Sequence, residues 1–281
     1  MRPGCASKTA QFAAVRRAAH QFFDIPHVFD DPLALRILAP DDAAAFATEC
    51  FAAYLPHFRY ARAYIAARSR YAEDRVAQAV AAGTGQYVIL GAGLDTFAYR
   101  NRGLDLRIFE VDHPDTQAWK LRHLASAGIR PPPNLKFVPI DFERQQLDFE
   151  LPKAGLRRDA PTFFSCIGVT PYLTCAAALG MLKAVRGLGP ANAIVFDYAS
   201  PRAALPDWEK TAFDLLSEDV ERVGEPFRGF FERDALAEEL RGIGFRAVDS
   251  PTTEDLNALH FRDRFDGLAV VGHLGGVMCA S

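Results

Sequence analysis

The spacing of apolar and polar residues changes once along the chain, near residue 83. From residue 9 to residue 83 the apolar positions recur at helical spacing, with interruptions at Pro26, Pro32, Pro40 and Pro56. This pattern predicts helices at 9–23, 32–37, 41–54 and 61–82. We therefore expect a helical N-terminal cap over residues 1–83, followed by a second domain over residues 84–281.

After Gly83 and Gly85, short apolar runs alternate with helical stretches, which is typical of a mostly parallel sheet covered by helices. The runs predict seven strands, at 87–90, 106–111, 135–140, 162–166, 193–197, 245–248 and 268–271. The clearest helices are predicted at 116–127, 176–188, 203–216 and 232–243. Because no convincing crossover helix joins the last two strands, the final strand is predicted to be antiparallel. The fold class is therefore α/β.

Composition and charge narrow the classes of function. The 281 residues are 49% hydrophobic and 24% charged, which is the balance of a globular protein with a substantial core. A net charge of −3 lacks the basic surface that nucleic-acid binding needs, so no nucleic-acid partner is expected. The chain has neither a membrane-spanning apolar run nor a stretch typical of a signal peptide, which predicts a cytoplasmic protein without a membrane partner.

The cysteines are odd in number and never spaced as C-x-x-C, which argues against a disulfide framework and against a metal site. They are expected to be reduced thiols. The five are Cys5, Cys50, Cys166, Cys175 and Cys279.

The first predicted strand runs into a loop of small residues, Gly91, Ala92 and Gly93, where the backbone can turn sharply and approach a ligand. Thr96 occupies the position at which a dinucleotide-binding loop has its third glycine, and Asp95 precedes it. A carboxylate here would repel a pyrophosphate. It would attract a ligand that carries an ammonium and a sulfonium without phosphate, such as S-adenosylmethionine (SAM). Asp95 also suits the N-cap of a following helix, and the two roles are compatible.

Carboxylates follow the next two strands as well. Glu110 and Asp112, on either side of Val111, lie about 20 residues beyond the glycine loop, where an acidic residue holds a ribose diol. Side chains alternate along a strand, so both carboxylates are expected to point the same way; the alternative is a solvated strand end. Asp141 and Phe142 follow the third strand, where they could grip an adenine, although Asp141 could equally be an ordinary cap.

These strand ends belong to a set of segments distributed over nearly the whole chain. They are D-D-P-L-A (30–34), R-S-R-Y-A-E-D (68–74), V-I-L-G-A-G-L-D-T-F-A-Y-R (88–100), F-E-V-D-H-P-D-T-Q-A-W-K (109–120), F-V-P-I-D-F-E (137–143), I-G-V-T-P-Y-L-T (167–174) and G-E-P-F (224–227). In them the chain resembles the leucine carboxyl methyltransferase-like family of SAM-dependent enzymes, particularly its bacterial branch. The resemblance implies a Rossmann-like class I methyltransferase fold with seven strands, the last antiparallel, and helices that cover the substrate.

The resemblance also implies that Arg68 pairs with the SAM carboxylate, although Arg70 is close enough to compete for this role. Ala92, Val111 and Ser165 complete the predicted cofactor site. The eukaryotic family members have an acidic residue after the fourth strand, where this chain has Ser165 and Cys166. That difference argues against a protein C-terminus as the methyl acceptor.

The sequence thus predicts methyl transfer from SAM to an oxygen, carboxylate or hydroxyl, of a small-molecule acceptor. A carboxylate acceptor needs no general base, whereas a hydroxyl does. The candidate catalytic residues are His113, the histidine nearest the predicted cofactor, and Tyr172, which follows the fourth strand. Two alternatives are a SAM-binding protein without turnover and an NAD(P)-dependent oxidoreductase. Asp95 and the missing third glycine oppose the oxidoreductase.

Overall fold

The computed structural model describes residues 7–101, 103–142 and 144–281. Cys5 and Glu143 lie outside these ranges, and Cys50, Cys166, Cys175 and Cys279 are free thiols. Within the described residues, no helix is both long and apolar enough to cross a membrane.

Three helices form the N-terminal part of the chain, α1 (Lys8–Phe23), α2 (Ala43–Phe51) and α3 (Pro56–Ala81). The side chain of Ser7 caps α1 by accepting a hydrogen bond from the Ala10 N–H. The predicted break at Pro56 is confirmed, since α2 ends at Phe51 and Pro56 is the first residue of α3, where its missing N–H costs no hydrogen bond. The helix predicted at 32–37 is wrong, since this segment forms turns in which the Asp31 carboxylate accepts from the Leu33 N–H.

The seven strands form one sheet in the order β3-β2-β1-β4-β5-β7-β6. Their bounds are β1 (Gln86–Leu90), β2 (Arg107–Asp112), β3 (Leu135–Pro139), β4 (Thr162–Cys166), β5 (Ala193–Ala199), β6 (Val248–Asp249) and β7 (Gly275–Ala280). Strands β1 to β5 pair in parallel, and β7 is antiparallel to both β5 and β6. The predicted seven-stranded, mostly parallel sheet with an antiparallel last strand is confirmed.

Seven further helices connect the strands. They are α4 (Phe97–Arg100), α5 (Pro114–Ser126), α6 (Leu147–Lys153), α7 (Cys175–Gly187), α8 (Asp207–Arg222), α9 (Arg233–Ile243) and α10 (Thr253–His260). Helices α6 and α10 were not predicted, and α4 is the helix expected after Asp95. The two turns of α10 begin with a capping box between Thr252 and Asp255, so a short helix does precede the last strand.

The last strand was predicted at the wrong place. The apolar run at 268–271 is not a strand; Leu268 and Val270 are buried against the cap, in a cluster that includes Phe29 and Ala63. The true strand β7 begins with Gly275 and Gly276 because Tyr198 of β5 lies against them. A Cβ on Gly276 would lie 2.8 Å from the Tyr198 hydroxyl. Glycines in a strand let a neighbouring residue approach the backbone closely. They also interrupt the apolar run by which a strand is predicted from sequence.

The cap and the sheet share part of one core. Ala14 of α1 and Tyr71 of α3 pack in the same buried cluster as Tyr87 and Ile89 of β1. The opposite face of the sheet, which includes Val88, packs against α7 and α9 in a second cluster. The shared core shows that the cap packs directly on one face of β1. The division of the chain into domains at residue 83 stays a prediction.

Candidate functional site

A cavity of about 580 Å³ lies between the cap and the carboxyl ends of the strands. Helices α1 and α3 contribute one wall, and the ends of β1, β2, β3 and β4 contribute the other. In open α/β sheets this edge is where ligands bind, because the loops after parallel strands converge there. The volume falls in the range of about 300–1,000 Å³ that is usual for small-molecule sites.

The glycine loop after β1 forms the floor of the cavity. The N–H groups of Gly91 and Ala92 donate to the Val111 carbonyl at 2.8 and 3.1 Å, which fixes the loop across the end of β2. Gly91 (φ +66°) and Gly93 (φ +44°) have the left-handed backbone conformation that favours glycine. A Cβ on Gly91 would overlap the side chain of Val169, so a methyl group is excluded by the loop after β4.

Asp112 is the carboxylate of β2 that faces the cavity. Its Oδ2 accepts from the Gly93 N–H at 2.6 Å, and its Oδ1 accepts from the His113 N–H at 2.7 Å. Burial raises the pKa of Asp112 above its usual value, and the two N–H donors offset part of that rise. The carboxylate is therefore held in one orientation by the glycine loop.

Glu110 does not reach the cavity. Its side chain is buried in an ion pair with Lys120 of α5, with 2.7 Å between Oε2 and Nζ, and it accepts from the Tyr99 hydroxyl at 3.2 Å. The expectation that Glu110 and Asp112 point the same way into the site is not met. Val111 contributes only its carbonyl, because its side chain lies in the core beneath the sheet.

Asp95 lines the cavity, and its Oδ1 accepts from the Phe97 N–H at 2.7 Å. The N-cap of α4 is Thr96 and not Asp95, so Asp95 supports the start of this helix from the preceding position. The neighbouring wall carries Glu73 of α3, which pairs with Arg100 at 3.2 Å between Oε2 and Nη1. Burial raises the pKa of Glu73 to about 7, although the Arg100 guanidinium opposes this rise.

Arg68 projects from α3 into the cavity, whereas Arg70 is exposed and pairs with Asp74. The Nη1 of Arg68 lies 2.6 Å from Asp197 Oδ2, and Asp197 Oδ1 accepts from the Gly168 N–H. Burial alone lowers the pKa of Arg68, but Asp197 raises it above its usual value. Its Nε is buried with no hydrogen-bond partner among the described residues, so it can still donate to an anion.

The remaining predicted cofactor residues lie on the same edge. Asp141 and Phe142 line the cavity just after β3, and Ser165 lines it near the end of β4. The hydroxyl groups of Ser165 and Tyr87 are hydrogen-bonded at 2.7 Å. The cavity thus collects residues from four consecutive strands of the order β3-β2-β1-β4.

The two candidate catalytic residues stand on opposite sides of β1. His113 caps α5, and its Nδ1 accepts from the Asp115 N–H at 3.2 Å. Tyr172, in the turn after β4, is half-buried and hydrogen-bonded to Thr9 of α1. Burial raises the pKa of Tyr172 to about 12, so its hydroxyl keeps its proton at neutral pH.

Glu225, from the segment G-E-P-F, is a cavity residue to which sequence reasoning assigned no role. Its carboxylate accepts from the N–H groups of Lys8 and Thr9 at 2.9 and 3.1 Å, and from the Ser7 hydroxyl at 3.0 Å. It therefore fixes the first turn of α1 as a wall of the cavity. The only signal for Glu225 in the sequence is its charge within G-E-P-F. Its partners could not be predicted, because they are more than 200 positions away.

A model of the leucine carboxyl methyltransferase family matches residues 10–186, which include most of the cap, the glycine loop and the ends of β1 to β4. The chain belongs to this family. As a family member it is a SAM-dependent methyltransferase, and SAM is its cofactor.

The curated relatives agree. A protein of Bacillus subtilis (strain 168) named “Putative S-adenosyl-L-methionine-dependent methyltransferase YktD” is 29% identical over 292 aligned positions, which cover 96% of each chain. A protein of Mycolicibacterium paratuberculosis (strain ATCC BAA-968 / K-10) named “Putative S-adenosyl-L-methionine-dependent methyltransferase” is 34% identical over 207 positions. That match covers 68% of this chain and 64% of the relative.

Solved structures share the fold of this family member. A methyltransferase from Thermobifida fusca, described as putative, superposes with a TM-score of 0.57 at 19% identity, covering 95% of this chain and 93% of the other. A DUF574 family protein from Streptomyces avermitilis gives the same TM-score at 15% identity, covering 95% of each chain. The Rossmann-like methyltransferase fold expected from the sequence is confirmed.

Proposed function

We propose that the family's cofactor lies along the strand edge, with each of its parts held by a different strand end. Asp112 would accept from the ribose hydroxyls, and Asp141 with Phe142 would frame the adenine. The support for this arrangement is the orientation of Asp112, whose carboxylate faces the cavity from the end of β2 while Glu110 is buried elsewhere.

The amino-acid end of the cofactor carries one carboxylate and one ammonium, and the opposite wall offers a partner for each. Arg68 has a buried Nε with no hydrogen-bond partner among the described residues, which suits the carboxylate. Asp95 accepts from the Phe97 N–H with one carboxylate oxygen, and its negative charge suits the ammonium. Gly91 and Gly93, with their left-handed backbone, place no side chain on the cavity floor between Arg68 and Asp95.

When bound, SAM supplies an electrophilic methyl group on a positively charged sulfur. The residues of this chain have to orient an acceptor beside it and to keep water out. The turn that carries Tyr172 and the first turn of α1, closed by Glu225, form the wall beyond the amino-acid end. The acceptor is proposed to be a small molecule bound against this wall.

The acceptor atom is proposed to be an oxygen, and a carboxylate oxygen is favoured. The observation that carries this choice is that the two glutamates lining the cavity, which the proposed cofactor arrangement does not use, already have partners in the protein. Glu225 accepts from α1, and Glu73 pairs with Arg100. Tyr172 is a proton donor, since its pKa is raised to about 12. An acceptor that arrives as an anion needs no base and suits this set of side chains.

Transfer of a tritiated methyl group tests the oxygen assignment. The protein is incubated with methyl-labelled SAM and the protein-free small-molecule fraction of a bacterial extract, with heat-denatured protein as the control. We expect a labelled product that releases volatile methanol in alkali, as a methyl ester does. A methyl ether would resist alkali but yield methyl iodide with hydriodic acid. Label that survives both treatments would identify a nitrogen or carbon acceptor and contradict the proposal.

A further inference from the structure

Asp31 is a buried carboxylate of the cap that lies outside the cavity but beside the glycine loop. It belongs to the segment D-D-P-L-A between α1 and α2, and its side chain is 0% exposed. Its Oδ1 accepts from the Leu33 N–H at 3.1 Å, which fixes the carboxylate on its own turn. A buried carboxylate is costly unless it is paired, so its partners reveal what it does.

Two of these partners lead to the loop after β1. The Thr96 hydroxyl donates to Asp31 Oδ2 at 2.7 Å. The Nε of Arg17, from α1, lies 3.5 Å from the same oxygen, and its Nη2 donates to the Leu94 carbonyl at 2.6 Å. Leu94 and Thr96 are the two neighbours of Asp95. Asp31 therefore holds both neighbours of Asp95: it binds the side chain of Thr96 directly, and it holds the Leu94 carbonyl through Arg17.

Asp31 also controls the charge around Asp95. The Nε of Arg100 lies 3.3 Å from Asp31 Oδ1, and the rest of that guanidinium pairs with Glu73. Arg100 is close enough to Asp95 for that carboxylate to raise the pKa of the guanidinium. Without Asp31, the two arginines beside the loop would lose a counter-charge, and Asp95 would be their nearest remaining carboxylate on the loop.

We propose that Asp31 is a positioning residue for Asp95, which it keeps directed into the cavity and free of Arg17 and Arg100. The consequence is selective: Asp31 sets the affinity for a ligand with an ammonium group at Asp95 and leaves the adenosine end unaffected. This inference rests on the proposed function, in which Asp95 receives the ammonium of the cofactor.

Two ligands separate this role from a purely structural one. S-adenosylhomocysteine carries the ammonium, and 5′-deoxy-5′-methylthioadenosine lacks the whole amino-acid end. We expect Asp31→Asn to lower the affinity for S-adenosylhomocysteine, measured by calorimetry, about 10-fold or more. The affinity for methylthioadenosine should stay within about twofold of the wild-type value. Asp95→Asn should give the same pattern, and the double variant should lose little beyond either single variant.

Asp24→Asn is the matched control. Asp24 is a second buried carboxylate of the cap, paired with Arg62 and His20 away from the cavity. We expect this variant to lower the melting temperature without changing the ratio of the two affinities. Should Asp31→Asn fail to fold, Thr96→Val keeps every charge and removes the 2.7 Å hydrogen bond to Asp31, together with the 2.9 Å hydrogen bond that Thr96 accepts from Arg100 Nε. The same selective loss is expected.

The outcomes separate the two claims. Equal weakening of both ligands by Asp31→Asn, or no weakening of S-adenosylhomocysteine, overturns the positioning role if Asp95→Asn is selective. If Asp95→Asn itself does not discriminate between the ligands, the proposed ammonium site at Asp95 fails, and the inference that rests on it fails with it.

Discussion

Two carboxylates at the end of β2, only two residues apart, have opposite environments. Glu110 is buried against Lys120 and Tyr99, whereas Asp112 faces the cavity and accepts from the Gly93 N–H. Strand alternation predicted a shared direction, but Asp112 is the last residue of the strand, where the chain turns into α5. The longer side chain of Glu110 also reaches Lys120, which lies on the next helix, α5. The distinction depends on Lys120 and could not be predicted from spacing alone.

Asp112→Asn tests the ribose contact. The substitution preserves the shape of the side chain but removes the charge that accepts hydrogen bonds, so we expect the affinity for S-adenosylhomocysteine to fall by about 1–3 kcal/mol. Calorimetry measures the affinity, and the exposed Asp105→Asn is the control that should leave it unchanged. Unchanged affinity in Asp112→Asn would assign the ribose to another residue.

Other residues of the site differ in how visible they are in the sequence. Gly91 and Asp141 could be predicted because they directly follow apolar runs, and Asp95 because it lies in the loop after the first of these runs; the structure brings all three to the cavity. Glu225 and Glu73 could not be assigned, since their roles depend on partners in other elements, the start of α1 and Arg100 of α4. Local pattern identifies the end of a strand but not what packs across from it.

Glu73 of α3 pairs with Arg100 of α4 and so joins the cap to the helix after the glycine loop, and its burial should make stability depend on pH. The pKa of Glu73 is raised from 4.5 to about 7 by burial. Between these values the folded state binds a proton that the unfolded state has released, so this contribution to stability is present at low pH and is lost as the pH rises through 7.

Glu73→Gln cannot titrate and should remove that dependence. Measured by urea unfolding from pH 5 to pH 8, the wild-type protein should lose up to about 3 kcal/mol of unfolding free energy relative to Glu73→Gln. Glu238→Gln, at an exposed pair with Arg241, is the control that should follow the wild-type slope. Parallel slopes for wild type and Glu73→Gln, or a relative gain by the wild type as pH rises, would contradict the assignment.

At the same scale, strands with apolar runs were located within a few residues, and β4 was predicted with its observed bounds. The last strand was misplaced because two kinds of packing gave misleading patterns. Leu268 and Val270 are apolar because the cap covers them, and Gly275 and Gly276 are small because Tyr198 lies against them. Both reasons come from tertiary contacts.

In the whole molecule, three parts of the chain that are distant in sequence line the cavity. The cap supplies α1 and α3, the sheet supplies four strand ends, and the segment around Glu225 closes the first turn of α1. The seven-stranded topology could be predicted because it follows from the alternation of strands and helices. How the cap sits on the sheet could not, because it depends on buried pairs such as Asp31 with Thr96 that join separate segments.

The most direct test is a crystal structure of the protein with S-adenosylhomocysteine. We expect the ligand in the cavity along the strand edge, with both ribose hydroxyls within hydrogen-bond distance of Asp112 and with Glu110 still paired to Lys120. The homocysteine carboxylate should contact Arg68. A ligand bound outside this cavity, or a ribose held by another residue while Asp112 accepts only from the Gly93 and His113 N–H groups, would contradict the account.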